Sequence, residues 1–361
     1  MKKFIKKISI LVFISFYIFN CSKNDDNSNT NNIQIDFIKT YGGSLNDNAQ
    51  SIVKTQDEGY AILGYTQSMD GDITNKTNTA FNYWLLKFDR NDNLQWQKTY
   101  GGSDNDRGNH IIQTAEGGYA ILGFSNSNDG DIETNEGLSD FWLLKLDNTG
   151  NIEWQQNYGF AGSDQGISII QTNDSGYLLT GVLDVTASNG EGNSKISATK
   201  HAGGDYWVIK LNALGEKQWS KFYGGTFTDT PYDAIQTEDN GYIVVGSSDS
   251  NDVDISNNKG SYDFWVIKIS ETGNLVWEKS FGGQEIDEAR AITNSGDGNY
   301  IIVGDTRSQD TDVSFNNGAA DLWVIKISPL GALIWETTFG GSNFDVGRSI
   351  TKTQDLSLIH I

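Results

Sequence analysis

Cysteine, histidine and proline are almost absent from this chain. Its 361 residues include one Cys, three His and two Pro. A single Cys excludes a disulfide framework, and so few Cys and His exclude a zinc site built from them. The three His also fall at unrelated positions, so no repeated His-based catalytic triad can be assembled from the sequence.

Positive charge is also scarce. The chain has 26 Lys and Arg against 47 Asp and Glu, which gives a formal net charge of −21. Binding a nucleic-acid backbone requires clustered Lys and Arg, so the composition argues against nucleic acid as a partner. Most of the acidic residues lie in loops rich in Asn and Gly, where a solvated surface explains them.

The chain begins with a segment typical of an exported lipoprotein. Four Lys are followed by an apolar run, Ile8–Phe19, and then by Cys21. A basic start and a short apolar run predict a signal peptide over residues 1–20, because a spanning helix needs about twenty apolar residues. The position of Cys21 resembles a bacterial lipoprotein signal, which implies that Cys21 is lipidated, with palmitate among its acyl chains. Phe19 and Asn20 depart from the small residues of that family, so an ordinary signal peptide or an uncleaved anchor is the alternative.

Residues 21–33 predict a flexible polar tether. The stretch CSKNDDNSNTNN is rich in Asn and has no apolar periodicity. It resembles the segment after the lipidated Cys in surface-exported lipoproteins of Bacteroides-like bacteria. The resemblance implies attachment to the outer membrane of a Gram-negative bacterium through a lipid anchor, at the cell surface.

Residues 34–355 consist of a repeat that is marked by tryptophan. The copies end at Trp96, Trp154, Trp219, Trp277 and Trp335, at steps of 58, 65, 58 and 58 residues, and every other Trp precedes one of these by twelve residues. One copy contains four strand-like runs, among them YAILGFS (Tyr119–Ser125) and DFWLLKL (Asp140–Leu146). A long period filled with short strands and tight turns predicts a β-propeller of four-stranded blades.

Counting the runs gives an all-β propeller that is six-bladed when complete. A fourth-strand-like segment begins at Gln34, five complete sets of strands follow, and the sixth set supplies only its first strand before Asp355. The last six residues, Leu356–Ile361, match the translated end of a transposase-type sequencing adapter. We therefore expect the chain to be truncated after Asp355, within a blade that the native gene continues; a divergent natural end is the alternative.

Two family resemblances cover most of the repeat region. TYGGSDNDRGNHIIQTAEGGYAILG resembles the β-propeller repeat of bacterial surface proteins, and KLDNTGNIEW resembles the tryptophan-docking turn of quinoprotein-type propellers. The second resemblance implies that an indole packs between adjacent blades. We therefore interpret the five closing Trp residues as structural.

An Asp and a Lys also recur once in each copy, and both are interpreted as part of the scaffold. The Asp lies six residues after the Tyr or Phe of each YGG-type turn and is expected to accept backbone hydrogen bonds. These residues are Asp47, Asp106, Asp164, Asp229, Asp287 and Asp345. The Lys, expected to cover apolar neighbours or to pair with a carboxylate, is Lys87, Lys145, Lys210, Lys268 or Lys326.

The loops between second and third strands contain pairs of Asp that are candidate Ca²⁺ ligands. The pairs are Asp70 and Asp72, Asp129 and Asp131, Asp252 and Asp254, and Asp310 and Asp312. Carboxylates two residues apart can supply some of the oxygens that Ca²⁺ needs. No copy has the distal Glu of an EF-hand loop, so solvated turn-forming Asp residues are the alternative. No other cofactor and no catalytic residue is predicted.

The sequence favours a binding or scaffold module with a glycan or protein ligand. Near-identical blades, with symmetry broken only by an insert around 187–203, argue against an enzyme, and the insert is the best candidate for a specific contact. A quinoprotein-like or glycan-active propeller enzyme and a stalk for a further C-terminal domain are the alternatives.

Overall fold

The computed structural model describes residues 38–189 and 201–352 and the backbone of 358–360. All strands lie in one compact unit, Tyr41–Ile361. The predicted signal peptide, the tether with Cys21 and most of the insert lie outside the described residues, as does much of Leu356–Ile361. The described part of the segment that begins at Gln34, residues 38–40, contains no strand.

Five four-stranded antiparallel sheets follow one another along the chain, each with its strands in sequence order. Blade 1 consists of β1 (Asp47–Lys54), β2 (Tyr60–Thr66), β3 (Asn82–Phe88) and β4 (Leu94–Tyr100). Blade 2 consists of β5 (Asp106–Gln113), β6 (Tyr119–Ser125), β7 (Asp140–Leu146) and β8 (Ile152–Tyr158). Blade 3 consists of β9 (Gln165–Gln171), β10 (Tyr177–Asp184), β11 (Gly204–Leu211) and β12 (Lys217–Tyr223).

Blade 4 consists of β13 (Asp229–Gln236), β14 (Tyr242–Ser248), β15 (Asp263–Ile269) and β16 (Leu275–Phe281). Blade 5 consists of β17 (Asp287–Asn294), β18 (Tyr300–Thr306), β19 (Asp321–Ile327) and β20 (Leu333–Phe339). A short pair, β21 (Ile350–Lys352) and β22 (Leu358–His360), follows. No helix occurs among the described residues, so none of them forms a helix long and apolar enough to cross a membrane.

The first strands of successive blades contact one another and surround a common cavity. The chain is therefore an all-β propeller with five complete blades and the beginning of a sixth, as predicted. The second and third strands are almost fully buried, because both of their faces pack against neighbouring sheets. The near-continuous apolar runs in the sequence meet this requirement.

Aromatic side chains join neighbouring blades. Trp142 is fully buried, and its ring lies 4.7 Å from that of Tyr83 in the preceding blade, whose hydroxyl donates to the Trp142 carbonyl at 3.0 Å. Such ring pairs contribute about 0.5–1.5 kcal/mol beyond their buried area. At the outer edge, the Trp96 indole lies against Gly150 in the last turn of the next blade, where a Cβ would approach it to 3.0 Å. Trp154, Trp219 and Trp277 repeat this contact on the following blades.

Candidate functional site

The central cavity of the propeller is lined by a bulge in each first strand. In the five complete blades the residue three positions after the repeated Asp position is left out of the ladder that pairs the first two strands. A bulge turns consecutive side chains towards the same face. The second strand has a glycine beside the bulge, because a side chain there would clash with the bulged backbone. At Gly123, a Cβ would lie 2.0 Å from the Arg107 carbonyl oxygen.

Ten side-chain positions, two from the first strand of each complete blade, therefore face the axis, and Arg348 and Ser349, just before β21, line it with them. They enclose a cavity of about 760 Å³, and we call these twelve positions the central channel. The bulged positions of the five complete blades are Gln50, Asn109, Ile167, Tyr232 and Arg290, and Arg348 has the same spacing after its repeated Asp. The positions that follow them are Ser51, His110, Ser168, Asp233, Ala291 and Ser349.

The channel residues differ from blade to blade, unlike the repeated positions around them. The bulged position holds amides in the first two blades, an apolar and an aromatic residue in the next two, and Arg in the last two. The insert is therefore not the sole break in symmetry. Sequence reasoning missed these residues, although their variability within an otherwise repeated strand was a visible signal.

One side of the channel contains a hydrogen-bonded chain across three blades. The Ser168 hydroxyl lies 3.1 Å from Asp233 Oδ1 and 3.2 Å from His110 Nδ1. His110 Nδ1 also accepts the Ile169 N–H at 3.0 Å, and Asp233 Oδ2 accepts the Ile292 N–H at 3.0 Å. These bonds fix side chains of one blade to the backbone of the next.

The His110, Ser168 and Asp233 side chains do not form a catalytic triad. In a triad the imidazole lies between the hydroxyl and the carboxylate, whereas here the hydroxyl occupies the middle. Burial lowers the pKa of His110 to about 4, so its ring is neutral at pH 7. Burial raises the pKa of Asp233 to about 6, in spite of its backbone donors. The arrangement offers fixed hydrogen-bonding groups rather than an activated nucleophile.

The channel also contains Arg and aromatic side chains, next to this hydrogen-bonded chain. The Arg290 guanidinium lies 4.2 Å from the centre of the Tyr232 ring, and its Nη2 donates to Glu288 at 2.7 Å. Arg348 lines the same cavity just before β21 and is exposed. Asp305 Oδ1 also lies 3.7 Å from Arg290 Nε, so the charge of Arg290 is balanced within the protein and Arg348 is the exposed cation beside it.

The paired Asp residues of the second-to-third-strand loops are used as acceptors for turns. The first Asp of each pair accepts a backbone N–H from the residue after the YGG-type turn: Asp70 from Ser44, Asp129 from Ser103, Asp252 from Thr226 and Asp310 from Gln284. The second Asp accepts the first-glycine N–H in three blades: Asp72 from Gly42, Asp131 from Gly101 and Asp312 from Gly282. The remaining member, Asp254, donates its backbone N–H to Gly224. Across the ranges 38–189 and 201–352, no three His, Cys, Asp or Glu side chains are grouped as metal ligands.

The repeated Asp residues lie beside the YGG-type turns. Five of them are at or directly before the start of a first strand, and Asp345 is five residues before β21. Their Oδ2 atoms accept a backbone N–H at 2.7–2.8 Å from the residue four positions earlier. Those pairs are Asp47 with Gly43, Asp106 with Gly102, Asp164 with Phe160, Asp229 with Gly225, Asp287 with Gly283 and Asp345 with Gly341. The repeated Lys residues each pair with an acid: Lys87 with Asp57, Lys145 with Glu116 and Glu153, Lys210 with Asp174, Lys268 with Asp239 and Lys326 with Asp297.

A second set of buried acids was not predicted. A buried Asp is the first or second residue of the third strand in four blades, and an Asn has this place in blade 1. These residues are Asn82, Asp140, Asp205, Asp263 and Asp321. Each lies at the junction with the next blade, against the first glycine of that blade's YGG-type turn. Each of these residues lies two positions before a repeated Trp, so their spacing is visible in the sequence but coincides with the Trp repeat.

Comparison with known proteins gives limited guidance. No model of a known protein family matches the chain. It is 26% identical over 222 residues to the regulatory protein FlaEY of Caulobacter vibrioides, across 58% of this chain and 22% of that protein. The chain thus spans about a fifth of that relative's length. The crystal structure of Sqt1 from Chaetomium thermophilum aligns with a TM-score of 0.45 at 12% identity, covering 86% of this chain and 76% of that one.

Proposed function

We propose that this protein is a lipid-anchored binding module of the outer membrane that takes a polar ligand, such as the end of a glycan, into its central channel. The observation that carries the proposal is the loss of blade symmetry at the channel positions. Residues that only hold blades together repeat from blade to blade, whereas a ligand without sixfold symmetry requires different side chains around the axis.

The chemistry of the channel suits a hydroxylated ligand with negative charge. Gln50, Asn109 and Ser51 offer donors and acceptors from two adjacent blades. Tyr232 provides an aromatic ring, and Arg348 an exposed guanidinium that can form paired hydrogen bonds with a carboxylate or sulfate. An acidic glycan presents this combination of groups.

A carbohydrate array tests the channel against the insert. The channel variant carries Tyr232→Gln and Arg290→Gln, which give blades 4 and 5 the residue of blade 1 at the bulge. The insert variant replaces 187–203 with the equivalent loop of blade 2. The proposal predicts that the channel variant loses retention while the insert variant keeps it. Loss of retention only in the insert variant would assign the ligand to the insert.

Lipid anchoring through Cys21 is a separate part of the proposal, supported by the apolar run before it and the polar segment after it. Cells fed an alkyne-tagged fatty acid should label the protein, and Cys21→Ala should abolish the label. Protease added to intact cells should remove the propeller if it faces outwards. A labelled but protease-protected protein would place it on the periplasmic side.

A further inference from the structure

The three junctions between blades 2 and 5 each contain two buried Asp residues beside the first glycine of the YGG-type turn. At the junction of blades 4 and 5, a Cβ on Gly282 would lie 2.5 Å from both Asp263 Oδ1 and Asp287 Oδ2. Both carboxyls are fully buried, and Asp263 Oδ1 has no hydrogen-bond partner. Two carboxyls in so little space repel each other unless a proton or a cation compensates.

Three junctions have a basic side chain at this place. Lys259 Nζ contacts Asp312 and donates to the Ser280 carbonyl at 2.7 Å, beside Asp263. His201 Nδ1 lies 2.5 Å from Asp205 Oδ2 at the junction of blades 3 and 4. Lys76 is buried at the junction of blades 1 and 2 and lines a pocket there with Asn82. The chain itself therefore supplies a basic group at each of these three junctions.

The junction of blades 2 and 3 has an acid at the position that Lys259 occupies between blades 4 and 5. The Glu136 N–H donates to Asp140 Oδ2 at 2.7 Å, just as the Lys259 N–H donates to Asp263 Oδ2 at 2.7 Å. Glu136 and Lys259 thus occupy the same backbone position with opposite charge.

A pocket of about 180 Å³ opens at this junction. Its wall includes Glu136, Asp140, Asn157 and Trp207, and Lys217 is the cationic residue that lines it. Asp140 is 1% exposed and its Oδ1 has no hydrogen-bond partner. The Asn157 amide nitrogen is buried and likewise without a partner. The unpartnered Asp oxygen recurs at other junctions. This junction differs in having Glu136 in the pocket wall, four residues before its Asp, where two other junctions have Lys259 and His201.

We propose that this pocket binds a divalent cation of the Ca²⁺ type through Asp140 Oδ1, the Glu136 carboxylate and the amide oxygen of Asn157. Turning the Asn157 amide presents its carbonyl oxygen, since its nitrogen has no acceptor to lose. An all-oxygen donor set selects Ca²⁺ over zinc or copper, and the space admits the waters that complete its coordination. With two carboxylates, the site belongs to the weak class found in extracellular modules, with dissociation constants of about 0.1–1 mM.

Terbium luminescence tests the site in the intact protein, because the Trp207 indole in the pocket wall can transfer excitation energy to a bound Tb³⁺ ion. We expect saturable Tb³⁺ emission that millimolar Ca²⁺ displaces. Glu136→Gln, at an exposed position, should weaken Ca²⁺ binding at least tenfold. Asp140→Asn should do the same without unfolding the protein, since Asn82 occupies the equivalent place in blade 1.

Asp263→Asn provides the matched control at a junction with its own Lys, and it should leave the emission unchanged. Asp310→Asn tests whether the ion binds instead at the paired Asp loops. Emission that survives both Glu136→Gln and Asp140→Asn, or that disappears in Asp310→Asn alone, would overturn the proposal. Absence of Ca²⁺-displaceable emission from the unsubstituted protein would overturn it as well.

Discussion

The residues that join the blades, which we call the shell, repeat from blade to blade, whereas the residues of the central channel vary. In the shell, Trp142 and Asp106 have counterparts in the other complete blades that make similar contacts, because each blade must join the next in the same way. In the channel, equivalent positions hold residues as different as Asn109 and Arg290. Positions that pack one blade against the next thus hold the same residue types, and the channel positions hold different ones. The difference separates residues needed for folding from residues available for recognition.

The largest expected effect concerns the shell. Trp142→Ala removes a fully buried indole and its contact with Tyr83, so it should lower the free energy of unfolding by about 3–5 kcal/mol. Trp335, which is 40% exposed on the outer strand of blade 5, is the matched control and should cost about half as much or less. Urea denaturation of both variants measures the difference. Equal losses would show that burial does not set the importance of the Trp frame.

A smaller loss is expected for the repeated Asp. Asp106 is fully buried and accepts the Gly102 N–H at 2.8 Å and the Ser127 hydroxyl at 3.0 Å. Asp106→Ala leaves these donors unpaired, which should cost about 1–3 kcal/mol. Asp310→Ala removes a half-buried loop carboxylate that accepts the Gln284 N–H at 3.0 Å, and it should cost less, about 1 kcal/mol. If Asp310→Ala proved the more damaging in urea denaturation, the paired-Asp loops rather than the repeated Asp would hold the turns.

The junction acids predict an unusual dependence of stability on pH. Burial raises the pKa of Asp140 to about 6, of Asp164 to about 7 and of Asp229 to about 8. The folded chain therefore binds these protons more tightly than the unfolded chain does. Stability should accordingly rise as the pH falls from about 8 to about 4, near the pKa of an unfolded Asp.

Below that range the trend should reverse. Pairing with Lys87 and Lys268 lowers the pKa of Asp57 and Asp239 to about 2, so the stability from those pairs is lost as the pH falls towards that value. Melting temperatures between pH 2 and pH 9 should thus show a maximum near pH 4. Asp229→Asn should flatten the slope between pH 5 and pH 8. A melting temperature that rises over that interval would contradict the assignment of raised pKa values to the junctions.

The smallest effect on stability is expected in the channel. Arg348 is exposed and lies outside the packed sheets, so Arg348→Ala should change the free energy of unfolding by less than about 0.5 kcal/mol. Arg90→Ala is the control, because Arg90 is exposed in an outer turn and makes a long 3.7 Å contact with Glu58. Both variants should have the same melting temperature as the unsubstituted protein. A large loss for Arg348→Ala would place that residue in the scaffold.

Much of the fold could be predicted because it follows from apolar periodicity and turn residues. The predicted strands Tyr119–Ser125 and Asp140–Leu146 agree with β6 and β7. The first strand was harder: the apolar pattern starts at His110, whereas β5 starts at Asp106. Its polar half carries the bulge, where side chains face the channel rather than a sheet, so the apolar pattern that predicts strands is lost there.

The candidate site could not be predicted for the same reason. The repeat identifies what each blade shares, while the channel is built from what the blades do not share. The Asp and Lys repeats were visible from spacing, but the burial of Asp140 against Gly159 depends on how two blades meet. Glu136 and Lys259 have opposite charges at equivalent positions, and only the structure shows that the two positions are equivalent.

One panel tests the central claim most directly: melting temperature and retention on an acidic-glycan array, measured together for Tyr232→Gln, Arg348→Ala and Arg90→Ala. The account predicts that all three variants melt within about 2 °C of the unsubstituted protein, consistent with small changes in stability. It also predicts that the two channel variants lose at least tenfold in retention while Arg90→Ala retains it. Channel variants that keep full retention, or lose it only by unfolding, would contradict the claim that the channel is the binding site.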